Sequence, residues 1–238
     1  MSALGSPRSH PSGRIELGSP RLHLRVTDST NRRARELAAA GAPHGTVVTA
    51  REQTAGRGRQ GRTWTAPPGR ALLCSIVLRD PPRLLPLAAG VAVAELVGRD
   101  ARVKWPNDVL TGDRKVAGIL VEGRPQERWA VLGIGINVAL RASDFPPELR
   151  QRAGTLGLEP DAIEPVLTRL LTQLQQWTAA PPAAVLGAVR VRDALLGRPV
   201  SWAAGAGTGA GIDPDGRLLI DTNNGRVALD AGEVHLGS

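Results

Sequence analysis

An α/β (α+β) fold with a small β-barrel appended is what this sequence predicts, and three observations predict it. Apolar strand-like runs alternate with helical stretches as far as Leu196. After Gly197 the helical pattern stops, and short strands separated by Gly, Asp-Pro-Asp-Gly and Asn-Asn-Gly turns replace it. A length of 238 residues with 42% hydrophobic content suffices for one medium and one small globular domain. The expected organisation is a flexible Ser/Pro/Gly/Arg-rich tail over 1–21, a larger domain over 22–194 and a barrel over 195–238.

Leu22 to Val26 alternates as a short strand. Thr27-Asp28-Ser29-Thr30 then supplies capping residues for a helix over Asn31–Ala40, which Gly41 stops. Ser29, Thr30 and Asn31 therefore read either as an N-cap or as a polar wall for a urea or amide group. Gly45 to Ala50 reads as a buried strand, Ala71 to Leu78 as another, and Leu84 to Val97 as an apolar helix ending near Gly98. Ala101 to Trp105 is a strand that Pro106 ends, with Asn107-Asp108 as a turn. Lys115 to Glu122 is a strand interrupted by Gly118, where a ligand or second backbone can approach closely. In Leu132-Gly-Ile-Gly-Ile-Asn137 the alternation puts Gly133 and Gly135 on one face, a floor without side chains; packing of a helix there explains them nearly as well. Residues 141–160 read as loop, Ala162 to Trp177 as an amphipathic helix and Ala183 to Leu196 as a second helix introduced by Pro181-Pro182. The terminal strands are Pro199 to Trp202, Gly207 to Ile212, Leu218 to Asp221, Val227 to Leu229 and Glu233 to Leu236.

Net charge is +8, yet of 30 basic residues only Lys104 and Lys115 are lysine. In an arginine-rich chain these two mark places where a compact ammonium matters. Cys74 is the only cysteine, so no intramolecular disulfide or cysteine metal cluster is expected, and its apolar context reads as a buried thiol. No apolar run reaches membrane-spanning length and the N-terminus lacks a secretory h-region, so a soluble, cytoplasmic protein without membrane contact is expected.

The stretch with most chemistry is Arg51 to Trp64, where Gly56, Gly58 and Gly61 lie among Arg57, Arg59 and Arg62. Glycines let backbone approach a ligand and guanidinium groups suit phosphate and carboxylate, so the loop reads as an anion wrap. The spacing also fits a dinucleotide fingerprint and a P-loop, but both need a helix directly afterwards, and Trp64-Thr-Ala-Pro67-Pro68-Gly69 does not begin one. A loose nucleic-acid-binding Arg-Gly segment remains as the alternative, although core strands flank this loop on both sides.

Asp28-Ser-Thr-Asn31, Gln53 to Arg62, Lys104-Trp-Pro-Asn-Asp108, Arg114 to Leu120 and Gly133 to Asn137 occur in the order and spacing of biotin protein ligases, and over residues 22–236 the chain resembles that family. The resemblance implies a mixed-sheet catalytic domain like that of class II aminoacyl-tRNA synthetases, with a C-terminal SH3-like domain. It further implies that biotin and ATP, with Mg²⁺, form biotinyl-5′-AMP, and that biotin then passes to a lysine of a biotin carboxyl carrier protein of an acyl-CoA carboxylase. By the same resemblance Ser29, Thr30, Asn31 and Gln53 match the positions that bind biotin's polar head, and Gly118, Leu120, Gly133 and Ile136 its floor and walls. Arg57, Gly58, Arg59 and Lys115 match positions at its carboxylate. Nucleotide would meet Arg57, Arg59, Arg62, Trp64, Asn107, Lys115 and Asn137. Lys115, Arg59 and Asp108 would act on the reacting groups, Asp108 in deprotonating the carrier lysine.

Some family members carry an N-terminal winged-helix domain; the short segment before the first strand here implies no specific DNA binding. The terminal barrel looks short by part of a hairpin near Trp202-Ala-Ala-Gly, which leaves open whether it closes over the nucleotide. The Arg loop is expected to be disordered without ligand, and the sequence leaves monomer and homodimer both open. Lipoate ligases, which share the catalytic fold, are the nearest rival, but the Gly/Arg loop and the terminal barrel favour biotin.

Overall fold

A computed structural model describes residues 16–237. Seven strands form one sheet in the order β1-β2-β3-β7-β6-β5-β4: β1 (Arg21–Thr27), β2 (Val47–Gln53), β3 (Ala71–Arg79), β4 (Ala101–Lys104), β5 (Asp108–Thr111), β6 (Arg114–Arg124) and β7 (Trp129–Asn137). The β1–β2 pair is parallel, joined across α1 (Thr30–Ala39), and the other pairs are antiparallel. β3 is central and apolar almost throughout because both its faces are covered. Leu72, Cys74, Ile76 and Leu78 face α2 (Leu85–Val97) and α3 (Ile163–Thr178), whereas Val77 joins Ala34, Ala38 and Trp129 under α1.

α2 is apolar on nearly every side because every side is covered. The sheet and α3 take one part of it; α4 (Pro182–Arg192) and the C-terminal strands take the rest through Leu87, Val91, Val185, Val189, Leu218 and Ile220. α3 is amphipathic, and Val166, Leu167, Leu170 and Leu174 form its inner stripe. Leu170 is fully buried, so Leu170→Ala is expected to cost about 2–5 kcal/mol of stability in thermal or denaturant unfolding.

The C-terminal unit is a five-stranded antiparallel sheet, ordered β11-β10-β9-β8-β12, from β8 (Pro199–Trp202), β9 (Gly205–Ile212), β10 (Leu218–Thr222), β11 (Gly225–Leu229) and β12 (His235–Leu236). Its Asp-Pro-Asp-Gly turn is drawn tight by Asp213, whose carboxylate accepts from the Asp215 and Arg217 backbone N–H groups. The turn docks on the larger domain: Trp105 Nε1 donates to the Gly216 carbonyl at 3.0 Å, and Arg83 pairs with Asp215 at 2.7 Å.

Several sequence expectations change here. Residues 1–15 of the expected tail lie outside the described residues. Of its remainder, Leu17 is buried and donates its N–H to Gln175 on α3. β5 takes the place of a plain turn at Asn107-Asp108: four residues with one apolar pair are too short to show a period of two. The second C-terminal helix stops at Arg192 rather than Leu196, because extended Asp193 bridges to Val103 and accepts from the Leu195 N–H. No helix among the described residues is long and apolar enough to cross a membrane.

Candidate active site

The site lies on the α1 side of the sheet, where β6 and β7 run out of side chains. Gly118 of β6 stands opposite Gly135 of β7, and Leu120 opposite Gly133. Added Cβ atoms would collide with what lies above: 1.9 Å from Asn31 Oδ1 at Gly133, and 2.6 and 2.9 Å from the Trp64 ring at Gly135 and Gly118. Both readings of these glycines hold in part: Gly133 admits Asn31 of the helix α1, whereas Gly135 and Gly118 admit the Trp64 ring of the loop.

At one end of this floor a polar nest is fully wired. The Thr30 backbone N–H and hydroxyl both donate to Gln53 Oε1, at 2.7 and 2.9 Å. Ser75 Oγ lies 2.6 Å from Asn31 Oδ1 and 2.8 Å from Thr30 Oγ1, and Asn31 Nδ2 donates to Glu122 at 2.9 Å. Ser29 occupies the N-cap position of α1 without a side-chain cap bond, while its backbone N–H goes to Asp28. The cap reading of these three residues therefore gives way to the pocket reading. Buried, neutral and mutually oriented groups of this kind suit a neutral polar ligand head.

The Arg loop is folded over the site. It turns at Gln60 and Gly61, both at positive φ, and is closed by Gly58 N–H to Arg62 carbonyl at 2.7 Å and Trp64 N–H to Gly56 carbonyl at 2.9 Å. This conformation of the loop is closed by its own contacts. Each arginine has a partner: Arg57 pairs with Glu122 at 3.2 Å, Arg59 donates to Asn107 Oδ1 at 3.1 Å and to the Gly232 carbonyl, and Arg62 pairs with Glu233. Gly232, Glu233 and Val234 of the C-terminal unit thus line the pocket, so the short barrel does reach the loop.

Trp64 lies over the floor with its Nε1 buried and unpartnered, and the Lys115 ammonium sits 5.6 Å from its ring centroid. Lys115 is also 2.7 Å from Asp108 Oδ1, a close ion pair rather than an aligned hydrogen bond. Asn107 Nδ2 donates to the Ile119 carbonyl at 2.9 Å, which fixes the turn that leads into Asp108 at the start of β5. Burial pushes the Lys104 ammonium below the usual lysine range, against the opposing pull of Asp108, and lowers Arg59 in the same way. The Cys74 thiol, wholly buried, is pushed up to about 12 by desolvation, as befits a structural residue.

Of the residues singled out from sequence, Ser29, Thr30, Asn31 and Gln53 line this cleft at the polar end. Arg57, Gly58, Arg59, Arg62 and Trp64 line it from the loop, and Asn107, Asp108, Lys115, Gly118, Leu120 and Gly133 from the sheet. Two do not. Ile136 is fully buried on the opposite face of β7, packed with the α2 and α3 core, because the alternation that exposes Gly133 and Gly135 turns it away. Asn137 spends its amide N–H on the Gly154 carbonyl at 2.8 Å and lies outside the cleft. Sequence reasoning missed Ser75 and Glu122, and placed Gly135 on the floor without naming it among the binding residues. Ser75 carried a signal: it is the one hydroxyl in an otherwise apolar run, Ala71 to Leu78.

Residues 23–138 match the Biotin/lipoate A/B protein ligase family, and residues 195–237 the Biotin protein ligase C terminal domain. The chain is 35% identical to the biotin--[acetyl-CoA-carboxylase] ligase of Paracoccus denitrificans, over 90% of this chain and 99% of that protein. It is 33% identical to the bifunctional ligase/repressor BirA of Bacillus subtilis, over 93% of this chain and 75% of that protein. Among solved structures it is similar to the biotin protein ligase from Aquifex aeolicus in complex with biotin and ATP, with a TM-score of 0.79 and 30% identity over 92% of this chain and 99% of that one.

Proposed function

Because this chain belongs to the biotin protein ligase family, we propose that its cleft joins biotin to ATP over the glycine floor and then delivers biotin to a carrier lysine. The protein is a ligase that biotinylates an acetyl-CoA carboxylase. The observation that carries the residue assignments is the convergence of two chemically different ends on one floor: the neutral Thr30–Gln53–Ser75–Asn31 nest, and the cationic end with Lys115 and Arg59.

Biotin's ureido head would exchange hydrogen bonds with the neutral nest, its rings resting over Gly118 and Gly133 beside Leu120. Its carboxylate would lie by Lys115, whose point charge reduces repulsion between the carboxylate and the α-phosphate of ATP. A carboxylate oxygen attacks the α-phosphorus, the bond to the bridging oxygen breaks, and diphosphate leaves. Trp64 offers its face and an unmet indole N–H to the ligands. In the second step the carrier lysine amine attacks the acyl carbon and AMP departs; Asp108, at the start of β5 beside Lys115, would accept the amine's proton. Mg²⁺ would arrive as counter-ion to the nucleotide's phosphates: among the described residues no three His, Cys, Asp or Glu side chains gather as metal ligands. The carrier is read as a biotin carboxyl carrier protein, and the setting as the cytoplasm.

The test is calorimetric titration of biotin in the presence of Mg²⁺ and ATP against a lipoate control, followed by mass spectrometry of the bound product. Biotin uptake with recovered biotinyl-5′-AMP supports the reading; uptake of lipoate instead overturns it. A second expectation concerns Arg59, which ties the loop to Asn107 and Gly232. Arg59→Ala should release bound adenylate at least tenfold faster while lowering stability by no more than about 1 kcal/mol, since its neutral-acceptor hydrogen bonds are partly solvated. Collapse of thermal unfolding with retention intact would reverse that assignment.

A further inference from the structure

Glu122 carries a charge for which neither end of the cleft accounts. On β6 it follows Gly118 and Leu120 at the period of two, so it faces the same side of the sheet as the glycine floor. It does not line the cleft itself; with Leu120 it lines a groove along the loop from Ala55 to Thr63. Its two carboxylate oxygens do different work. Oε2 accepts from Asn31 Nδ2 at 2.9 Å, whereas Oε1 is shared by two guanidinium groups, those of Arg35 and Arg57, each at 3.2 Å.

The two guanidinium groups differ in what carries them. Arg35 lies one turn after Asn31 on α1, a helix fixed to the sheet by Ala34 and Ala38 against Val77 and Val131. Arg57 belongs to the loop folded over the floor, which has to lift before a ligand can enter or leave. The Glu122 side chain is 22% exposed, against 40% for Arg35 and 50% for Arg57. The carboxylate is therefore the member that suffers most if its counter-ion departs, because a charge withdrawn from water and left unpaired is costly. With Arg35 in place, lifting the loop leaves Glu122 paired. With the loop down, the two cations crowd one oxygen and their mutual repulsion weakens the hold on Arg57.

We propose that Glu122 is a positioning residue that ties the loop to the neutral nest, and that Arg35 is its stand-in partner when the loop lifts. Together they set how long an acyl-adenylate stays enclosed. This rests on the ligase reading and deepens it. Removing the charge of Glu122 cuts the tie to Arg57, so the adenylate escapes faster. Removing that of Arg35 leaves Arg57 as the remaining guanidinium on Oε1, so the loop stays down longer and the adenylate escapes more slowly. Arg35 lies outside the cleft, so its loss leaves the joining of biotin to ATP untouched. Glu122→Gln keeps an oxygen for the Asn31 amide and loses only the charge.

The experiment uses the full chain, loaded with labelled biotin and ATP and then chased with unlabelled biotin, to time the escape of biotinyl-5′-AMP. Parent, Arg35→Gln, Arg35→Lys, Glu122→Gln and the double variant Arg35→Gln/Glu122→Gln are compared. Arg35→Gln should slow escape and Glu122→Gln should speed it, each by about three- to fivefold, the size of one partly solvated ion pair. The double variant should match Glu122→Gln alone, because Arg35 acts through that carboxylate. Arg35→Lys, which keeps a cation, should follow the parent. Single-turnover pyrophosphate release by Arg35→Gln should stay within about twofold of the parent, as expected of a residue that meets no reacting group. A general loss of stability would speed escape in both single variants, so the opposite signs are diagnostic. Escape from Arg35→Gln that is unchanged or faster, or effects that add in the double variant, overturns the proposal. A parent that makes no biotinyl-5′-AMP overturns the ligase reading itself, whereas a parent that makes and retains it, with both single variants moving together, overturns the positioning role alone.

Discussion

Lys115→Met is expected to slow formation of biotinyl-5′-AMP by a factor on the order of 10²–10³, the range seen when one preorganised electrostatic group is removed from a reacting centre. The Lys115 side chain is a third exposed, and its ammonium lies 2.7 Å from Asp108 and 5.6 Å from the Trp64 ring centroid. These contacts hold it over Gly118, where an added Cβ would lie 3.2 Å from Nζ. Such a charge meets a carboxylate and a phosphate at the price of no reorganisation. Arginine at 115 would be too broad for a slot bounded by an indole and a glycine floor, so Lys115→Arg should recover less than a tenth of the rate. Single-turnover adenylate formation by mass spectrometry checks both variants. Removing the ammonium leaves Asp108 uncompensated, so a stability loss of about 1–3 kcal/mol should accompany it and vanish in Lys115→Met/Asp108→Asn. A Lys115→Met rate within threefold of the parent would remove Lys115 from the chemistry.

The site was legible in sequence to different depths, and the differences have physical causes. Gly133 and Gly135 could be placed on one face of β7 because a strand alternates with period two, and the added-Cβ distances bear out that close approach. The same alternation puts Ile136 on the other face; resemblance to a family assigned it to the pocket wall, and the local rule was the better guide. Asn137 shares the glycines' face but lies at the strand's end, where the Gly154 carbonyl takes its amide, a partner seventeen positions away that no local pattern announces. Glu122 illustrates the same limit. It collects Asn31, Arg35 and Arg57 from α1 and the loop, and nothing in its own neighbourhood of sequence indicates that three elements converge there. The reach of Gly232 and Glu233 into the cleft depends on how the C-terminal unit docks through Trp105 and Gly216, which is long-range packing. The contacts of the loop were equally invisible to local reading: Glu122, Asn107 and Glu233 hold the three arginines.

Gly133→Ala should abolish most biotin binding while leaving the fold intact, the second large effect. A Cβ at this position would lie 1.9 Å from Asn31 Oδ1 and 2.7 Å from its Cγ, so the Asn31 side chain must leave its place. It cannot shift slightly, because Ser75 holds Oδ1 at 2.6 Å and Glu122 holds Nδ2 at 2.9 Å. Displacing it breaks both bonds and disturbs Thr30, which contacts Ser75, and through Thr30 also Gln53. Loss of two or three oriented hydrogen bonds at roughly 0.5–1.5 kcal/mol each corresponds to about a 10²-fold weaker affinity for biotin, measured by titration calorimetry. Overpacking should lower stability by about 1–3 kcal/mol in thermal unfolding. The two effects separate in a double variant. Gly133→Ala/Asn31→Ala removes the clashing amide, so stability should return toward the parent while biotin affinity stays low. If instead affinity recovers along with stability, Asn31 is only a spacer between α1 and β7, and the neutral nest does not recognise the ligand head.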